Sequence, residues 1–351
     1  MSEGSVVPRR RLLQWGLAAA TAGIAGCARE PRGDREVLYA GAFSLAKSVD
    51  EALWFDFEAN IERARPDIDV RLLIRGETGP EEQTFASLRR GRVQVAGGSF
   101  AGVATLVPEI ALLSVPFLFD SEDEVDFVMD RWMLEPFREL FAAKGLRLIQ
   151  WTEVGWVHLY GKQPLRRPAD LRSRRIRASS SIASQAFIGE VGADTITLPF
   201  SDVVPSLQTG LIEGGVTSLT MYSLSGISTE APHYTLTRHS YDMGVLLANA
   251  EWFAGLEPTA RAAVESGFGG AASARRRARS AVAELAAALP SKGVTLHEQD
   301  QATREEWRRA AWPAHQKLVR RIGGQAERIY GQLTDGIAAY RSASPATVGG
   351  R

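Results

Sequence analysis

From residue 37 to residue 218 the chain alternates short apolar runs with segments of helical period, and that alternation limits its fold more than any other feature. Residues 37–40, 70–74, 93–96, 146–151, 156–160, 175–178, 195–199 and 215–218 read as strands. Ser48-Val49-Asp50-Glu51 has the form of a capping box, and Val49, Leu53, Phe57 and Ile61 follow at helical spacing until Pro66 ends the helix. Further helices are expected over 80–90, 122–133, 181–191 and 202–209, with Pro136 breaking or kinking the 122–133 helix before a second one runs to 143. After Trp252 the chain reads as mostly helical, over 258–289 and 301–340, with a strand at 294–297 between them. Leu318, Ile322, Ile329, Leu333 and Ile337 keep one apolar stripe, and Gly323-Gly324 weakens the helix locally. Strands alternating with helices predict an α/β fold with parallel sheets. A length of 351 residues leaves ample core for two domains or one large one.

The N-terminus reads as an address label. Arg9-Arg10-Arg11 precedes Leu12-Leu13-Gln14-Trp15-Gly16-Leu17 and an Ala/Gly-rich run, a basic region followed by an apolar stretch too short to span a bilayer comfortably. It ends in Ile24-Ala25-Gly26-Cys27, which resembles a bacterial lipobox, and Pro8–Leu13 resembles a twin-arginine export signal. The chain's single cysteine falls at the end of this stretch, so lipidation at Cys27 is preferred over a tail with a chance cysteine. The expected layout is an export signal over 1–26 and a lipid-anchored tether over 27–36, with the protein on the outer, periplasmic face of the cytoplasmic membrane. One cysteine also rules out intramolecular disulfides and cysteine-rich metal sites. Forty-one basic and 41 acidic residues balance, which argues against nucleic acid as a partner.

Catalytic signatures fail. The five histidines, His158, His233, His239, His297 and His315, show no metal-ligand spacing, so no metal site is expected. Gly97-Gly98-Ser99-Phe100-Ala101 lacks the last glycine of a nucleophile elbow. Gly267-Phe268-Gly269-Gly270-Ala271-Ala272 fits a dinucleotide-binding pattern only formally, because a helix precedes it where a strand is required. What remains is a basic strand, Arg172 to Arg177, running into Ser179-Ser180-Ser181. Arg172, Arg174 and Arg175 suit a solvated face. Arg177 falls at the carboxyl end of a strand, where α/β sheets hold ligands, and its planar guanidinium can grip a carboxylate through two parallel hydrogen bonds.

At these residues the chain resembles the extracytoplasmic solute-binding subunits of TRAP (tripartite ATP-independent periplasmic) transporters, of the dicarboxylate-binding type. The resemblance rests on Ser114-Val115-Pro116-Phe117-Leu118-Phe119-Asp120, on Pro168-Ala169-Asp170-Leu171 with Ile176-Arg177, and on Leu198-Pro199-Phe200-Ser201-Asp202-Val203 continued by Leu207–Gly214. A weaker match is 87–96, and the likeness covers about residues 36 to 340.

The resemblance implies a two-lobed periplasmic-binding-protein-like fold with a long helix spanning both lobes. Lobe I would comprise 37–154 plus about 243–282, lobe II 155–242 plus about 283–340, and 341–351 would be a tail. Arg177 matches the arginine that pairs with the ligand carboxylate, and Phe200 matches an aromatic of the pocket wall. Thr217 stands where many members carry an asparagine. Val157 stands where sialic-acid-type members carry a second arginine, which argues for one carboxylate and against a sialic-acid-like ligand. Ser99, Trp156 and Tyr222 are further expected ligand contacts, with ordinary packing the competing reading for each; Trp151 reads as structural. Glu81 and Glu82 could meet a ligand amine, though acids are common at helix N-termini. The implied activity is binding of a small organic acid in the inter-lobe cleft, closure around it, and delivery to the TRAP membrane permease, with no cofactor and no catalysis. Two alternatives stay open: an exported cofactor-dependent oxidoreductase, and a ligand-sensing subunit for a signalling partner.

Overall fold

The computed structural model describes residues 35–343. Its strands are β1 (Glu36–Gly41), β2 (Ile68–Leu73), β3 (Val95–Ser99), β4 (Leu146–Gly161), β5 (Arg175–Ala178), β6 (Asp194–Thr197), β7 (Gly214–Ser218), β8 (His233–Asn249) and β9 (Thr295–His297). Eight of them lie side by side in the order β2-β1-β3-β8-β4-β7-β5-β6, and β9 pairs with β8. The two flanks are parallel: β2-β1-β3 on one side and β7-β5-β6 on the other. The centre is not. The β3–β8, β8–β4 and β4–β7 pairs are all antiparallel, so the sheet is mixed rather than parallel throughout.

The departure comes from two long strands. The two runs expected at 146–151 and 156–160 are one strand, β4, of 16 residues. Its apolar character lapses at Glu153-Val154-Gly155, where the pairing with β8 shifts register and Gly155 takes φ +96°. The 17-residue β8 was not anticipated. Its buried side from 235 to 243 is Thr235, Thr237, His239, Tyr241 and Met243, a period of two written largely in polar residues. Both strands run from the β1–β3 side to the β5–β7 side of the molecule and give it two lobes.

Helix Val49–Ala64 begins as its sequence specifies. Ser48 Oγ accepts from Glu51 N at 3.1 Å. The Glu51 carboxylate reaches back to Lys47 N at 2.6 Å, one residue beyond the cap. The expected 122–133 helix divides into Glu122–Val128 and a π turn, Met129–Met133. Helix Leu134–Ala142 continues directly from that turn, and Pro136 stands three residues past Met133 without ending the helix. The two long C-terminal helices break at their glycines and proline, giving Pro258–Ser266, Ala271–Ala288, Gln301–Ala311, Ala314–Ile322 and Ala326–Ala343.

Helix Ala271–Ala288 is the connector between lobes. It packs on helix Val49–Ala64, on β4 and on helix Leu219–Leu224. Arg275 binds Asp126 at 3.0 Å and Asp130 at 2.7 Å, and Arg279 binds Asp126 at 2.8 Å and Glu153 at 3.1 Å. Helix Ala326–Ala343 packs Ile329, Leu333 and Ile337 with Val125, Val128 and Met129 in one apolar cluster. Helix Gln301–Ala311 packs Trp307 and Ala311 with Leu171, Ile176 and Phe187 in another.

Candidate functional site

The lobes enclose a cavity of about 1030 Å³. Arg177 enters it from β5. Its neighbours β6 and β7 shield it, so that it is only 5% exposed. Nε and Nη2 donate to Leu198 O at 3.2 and 3.0 Å, and Nη1 approaches Val216 O at 3.5 Å. Among the described residues no carboxylate pairs with it. Burial lowers its pKa from the ordinary arginine value, but a guanidinium stays charged in a protein. The result is a buried cation held by carbonyl dipoles alone, aimed into an open volume. Gly215 on β7 makes this placement possible: a Cβ there would collide with the Tyr160 hydroxyl and lie 3.0 Å from Arg177 Cβ.

Thr217, Phe200 and Ser99 line the same cavity, as does Val157. Thr217 comes from β7, next to the strand that carries Arg177. Phe200 follows Leu198, whose carbonyl holds the guanidinium, and also packs on an apolar cluster of the second lobe. Ser99 sits at the end of β3, where its hydroxyl is already committed to Glu81 Oε2 at 2.5 Å.

Trp156 and Tyr222 are not on the cavity wall. Successive residues of a strand face opposite ways. Val157 faces the cavity, so its neighbour Trp156 faces the other side and packs edge-on against Tyr241 with ring centroids 4.8 Å apart. Tyr222 is fully buried. It stacks on Tyr234 at 4.3 Å and donates to Ala231 O at 2.7 Å. Trp151 is buried between Phe100 and Phe137, as a structural residue should be.

Sequence reasoning undervalued the cavity's carboxylates. Asp50, Glu81, Glu153 and Asp242 all line it. Glu81 accepts from Ser99 N at 3.0 Å as well as from its hydroxyl. Asp242 accepts from Ser114 Oγ at 2.7 Å, and Asp50 from Ser44 Oγ. Burial raises the pKa of all three above the usual carboxylate range. Glu153 is pushed up to about 7 by burial, with Arg279 pulling the other way. Asp50 was visible only as a helix-start acid, Glu81 was weighed as a contact for a ligand amine against that same local explanation, and Asp242 lies in the unanticipated β8. At the cavity mouth Ser180 Oγ donates to Glu82 Oε1 at 2.9 Å, tying the β5 side to the β3 side.

His158, His239 and His315 are buried among packed neighbours, His239 at the cavity wall. His158 is buried, accepts from Arg238 N at 3.1 Å and is pushed down to about 3 by burial. His239 stacks on Phe187 at 3.9 Å, and His315 bridges Pro116 O and Tyr330 Oη at 2.7 Å each.

Residues 51–321 match the model of the bacterial extracellular solute-binding proteins, family 7. The chain belongs to that family. A solute-binding protein of Chromohalobacter salexigens is 26% identical over 179 residues, 51% of this chain and 53% of that one, so the match spans little more than half of that relative. The 2,3-diketo-L-gulonate-binding periplasmic protein of Escherichia coli is 25% identical over 66% of this chain and 78% of its own length. Among solved structures, the sugar acid binding protein of Advenella mimigardefordensis in complex with galactonate superposes with a TM-score of 0.80 at 23% identity, covering 86% of this chain and 99% of that one. That likeness is one of fold. Among the described residues, no helix of this family member is long and apolar enough to cross a membrane.

Proposed function

We propose that this solute-binding protein takes up a small organic acid through one carboxylate on Arg177 and presents the closed, loaded form to a TRAP-type membrane permease. The observation that carries the reading is the Arg177 guanidinium, buried, without an anionic partner among the described residues, and facing a cavity large enough for a metabolite. A carboxylate there would complete a charge-assisted pair in a site closed to water. Thr217 adds a hydroxyl, Phe200 an aromatic wall, and Ser99 a polar edge; Val157 leaves no second arginine for a second carboxylate. The lobes close by bending β4 and β8, with boundaries near 154/155 and 242/243 and with helix Ala326–Ala343 moving with lobe I. Cys27, outside the described residues, carries the lipid that keeps the protein on the outer face of the cytoplasmic membrane after removal of 1–26, and the residues from 27 to the start of β1 are the tether.

Titration calorimetry of the whole chain with matched mono- and dicarboxylic acids tests this reading. A monocarboxylate should bind, and Arg177→Met should abolish that binding. Tighter binding of a dicarboxylate than of its monocarboxylate analogues would refute the one-carboxylate site, and binding that survives the substitution would move the site away from Arg177.

A further inference from the structure

The cavity is not simply a cationic hole for an anion. In the sheet order, Arg177 belongs to the β7-β5-β6 flank. Glu81 opens helix Glu81–Arg89 and is bound to Ser99 at the end of β3, on the opposite flank. Asp50 lies in the first turn of the helix that connects β1 to β2, and Asp242 is on the central β8. Positive and negative groups therefore occupy different walls of one volume.

The acids differ in how they are satisfied. Glu153 already holds Arg279 at 3.1 Å, so its charge is answered. Asp50, Glu81 and Asp242 have no lysine or arginine partner among the described residues and are held by serines: Ser44, Ser99 and Ser114. A carboxylate has about four lone-pair sites, and one or two donors leave the remainder unfilled. Of the other bases on the wall, Arg75 is tied to Glu51, and Lys47 is exposed. Acids alone would not define a ligand, since carboxylates gather for many reasons. The independent observation is Arg177, 5% exposed, with no counter-charge and aimed into the same cavity. A ligand carrying only a carboxylate would answer Arg177 and leave the facing acids uncompensated. One with charges of both signs would answer both walls at once.

We propose that the ligand is a zwitterion, whose carboxylate meets Arg177 and whose ammonium, quaternary ammonium or amidinium centre seats against Asp50, Glu81 and Asp242. This deepens the carboxylate reading above and rests on it. The serine hydroxyls act as positioning groups: they hold the carboxylates in place and leave unfilled lone pairs on their oxygens for the cation. The size of the cavity also admits substituents between the two charges.

The test uses matched probes on the whole chain at pH 7.5: the straight-chain acids from propionate to hexanoate, their ω-amino and ω-trimethylammonio derivatives, and gluconate as a neutral polyhydroxy acid. Titration calorimetry should show at least one ω-cationic acid binding roughly 30-fold or more tightly than its unsubstituted counterpart. Glu81→Gln and Asp242→Asn should each cut that preference, read as the ratio of the two affinities, about tenfold. Gluconate or the plain acids binding as tightly as every cationic probe would overturn the zwitterion, as would a preference that both substitutions leave intact. Should either variant fail to fold, the comparison of probes on the parent chain decides alone. Arg177→Met separates the two readings. If it abolishes binding of acids that show no cation preference, the carboxylate site stands and the zwitterion falls. If it changes nothing, or if no probe binds the parent at millimolar concentration, both fall.

Discussion

For the proposed carboxylate site, the cost of burying Arg177 matters as much as its contacts. Burying a guanidinium without a counter-charge is unfavourable, and the carbonyls of Leu198 and Val216 offset only some of it. Arg177→Met removes the buried charge but orphans those carbonyls, at about 1 kcal/mol each. Ligand-free stability in a urea melt should therefore stay within about 1–2 kcal/mol of the parent. A loss of more than about 3 kcal/mol would instead make Arg177 a structural keystone. Glu153 gives the second prediction at this scale. Burial raises its pKa from 4.5 to about 7. Between those values the folded chain keeps a proton that the unfolded chain has released, so rising pH withdraws stability across that window, by at most about 3 kcal/mol. Arg279, Arg275, Asp126 and the Tyr241 hydroxyl surround the group. Glu153→Gln cannot lose that proton. Its melting temperature relative to the parent should climb from pH 5 to pH 8, and a constant offset would contradict the assignment.

At the scale of elements, Gly155 marks where β4 changes register against β8. Its φ of +96° suits glycine, and a Cβ there would meet nothing within 4 Å. Gly155→Ala should thus cost only the backbone term, about 1–2 kcal/mol in a denaturant melt, with the cavity unchanged. A neutral result would mean that the bend relaxes to an ordinary conformation. The same glycine explains what could be read in advance. Helix Val49–Ala64 was legible because its cap and its stripe agree. Arg177 was legible as the arginine at the carboxyl end of a basic strand that runs into a serine-rich helix start. Trp156 was not, because its facing depends on parity along β4, and a lapse of hydrophobicity at 153–155 hid that the strand is continuous. β8 escaped notice since threonine, histidine and tyrosine fill its inner face. Their partners lie far away in sequence, so only the assembled sheet reveals them as core. The acidic wall was only partly legible for a related reason: Glu81 could be weighed as a contact for a ligand amine, but it and Asp50 had a sufficient local explanation as helix-start charges.

For the whole molecule, the decisive feature is that the lobes share secondary structure instead of being joined by loops. β4 and β8 run through both, helix Ala271–Ala288 straddles them, and the Ser180–Glu82 hydrogen bond closes the mouth. The closure proposed above would be a bend in a continuous ladder, which favours a small set of well-defined states over free swinging. Neither half contains a complete set of its own strands, so neither has an independent route to the folded state. Differential scanning calorimetry should show a single endotherm, with calorimetric and van't Hoff enthalpies equal, and two resolved peaks would show the halves melting apart. Because the two long strands make the halves one cooperative unit, a molecule gripping only one wall raises the midpoint of everything. A melting curve of this protein therefore counts occupancy without revealing the address, and only side-chain replacement on each wall can say where a guest has settled.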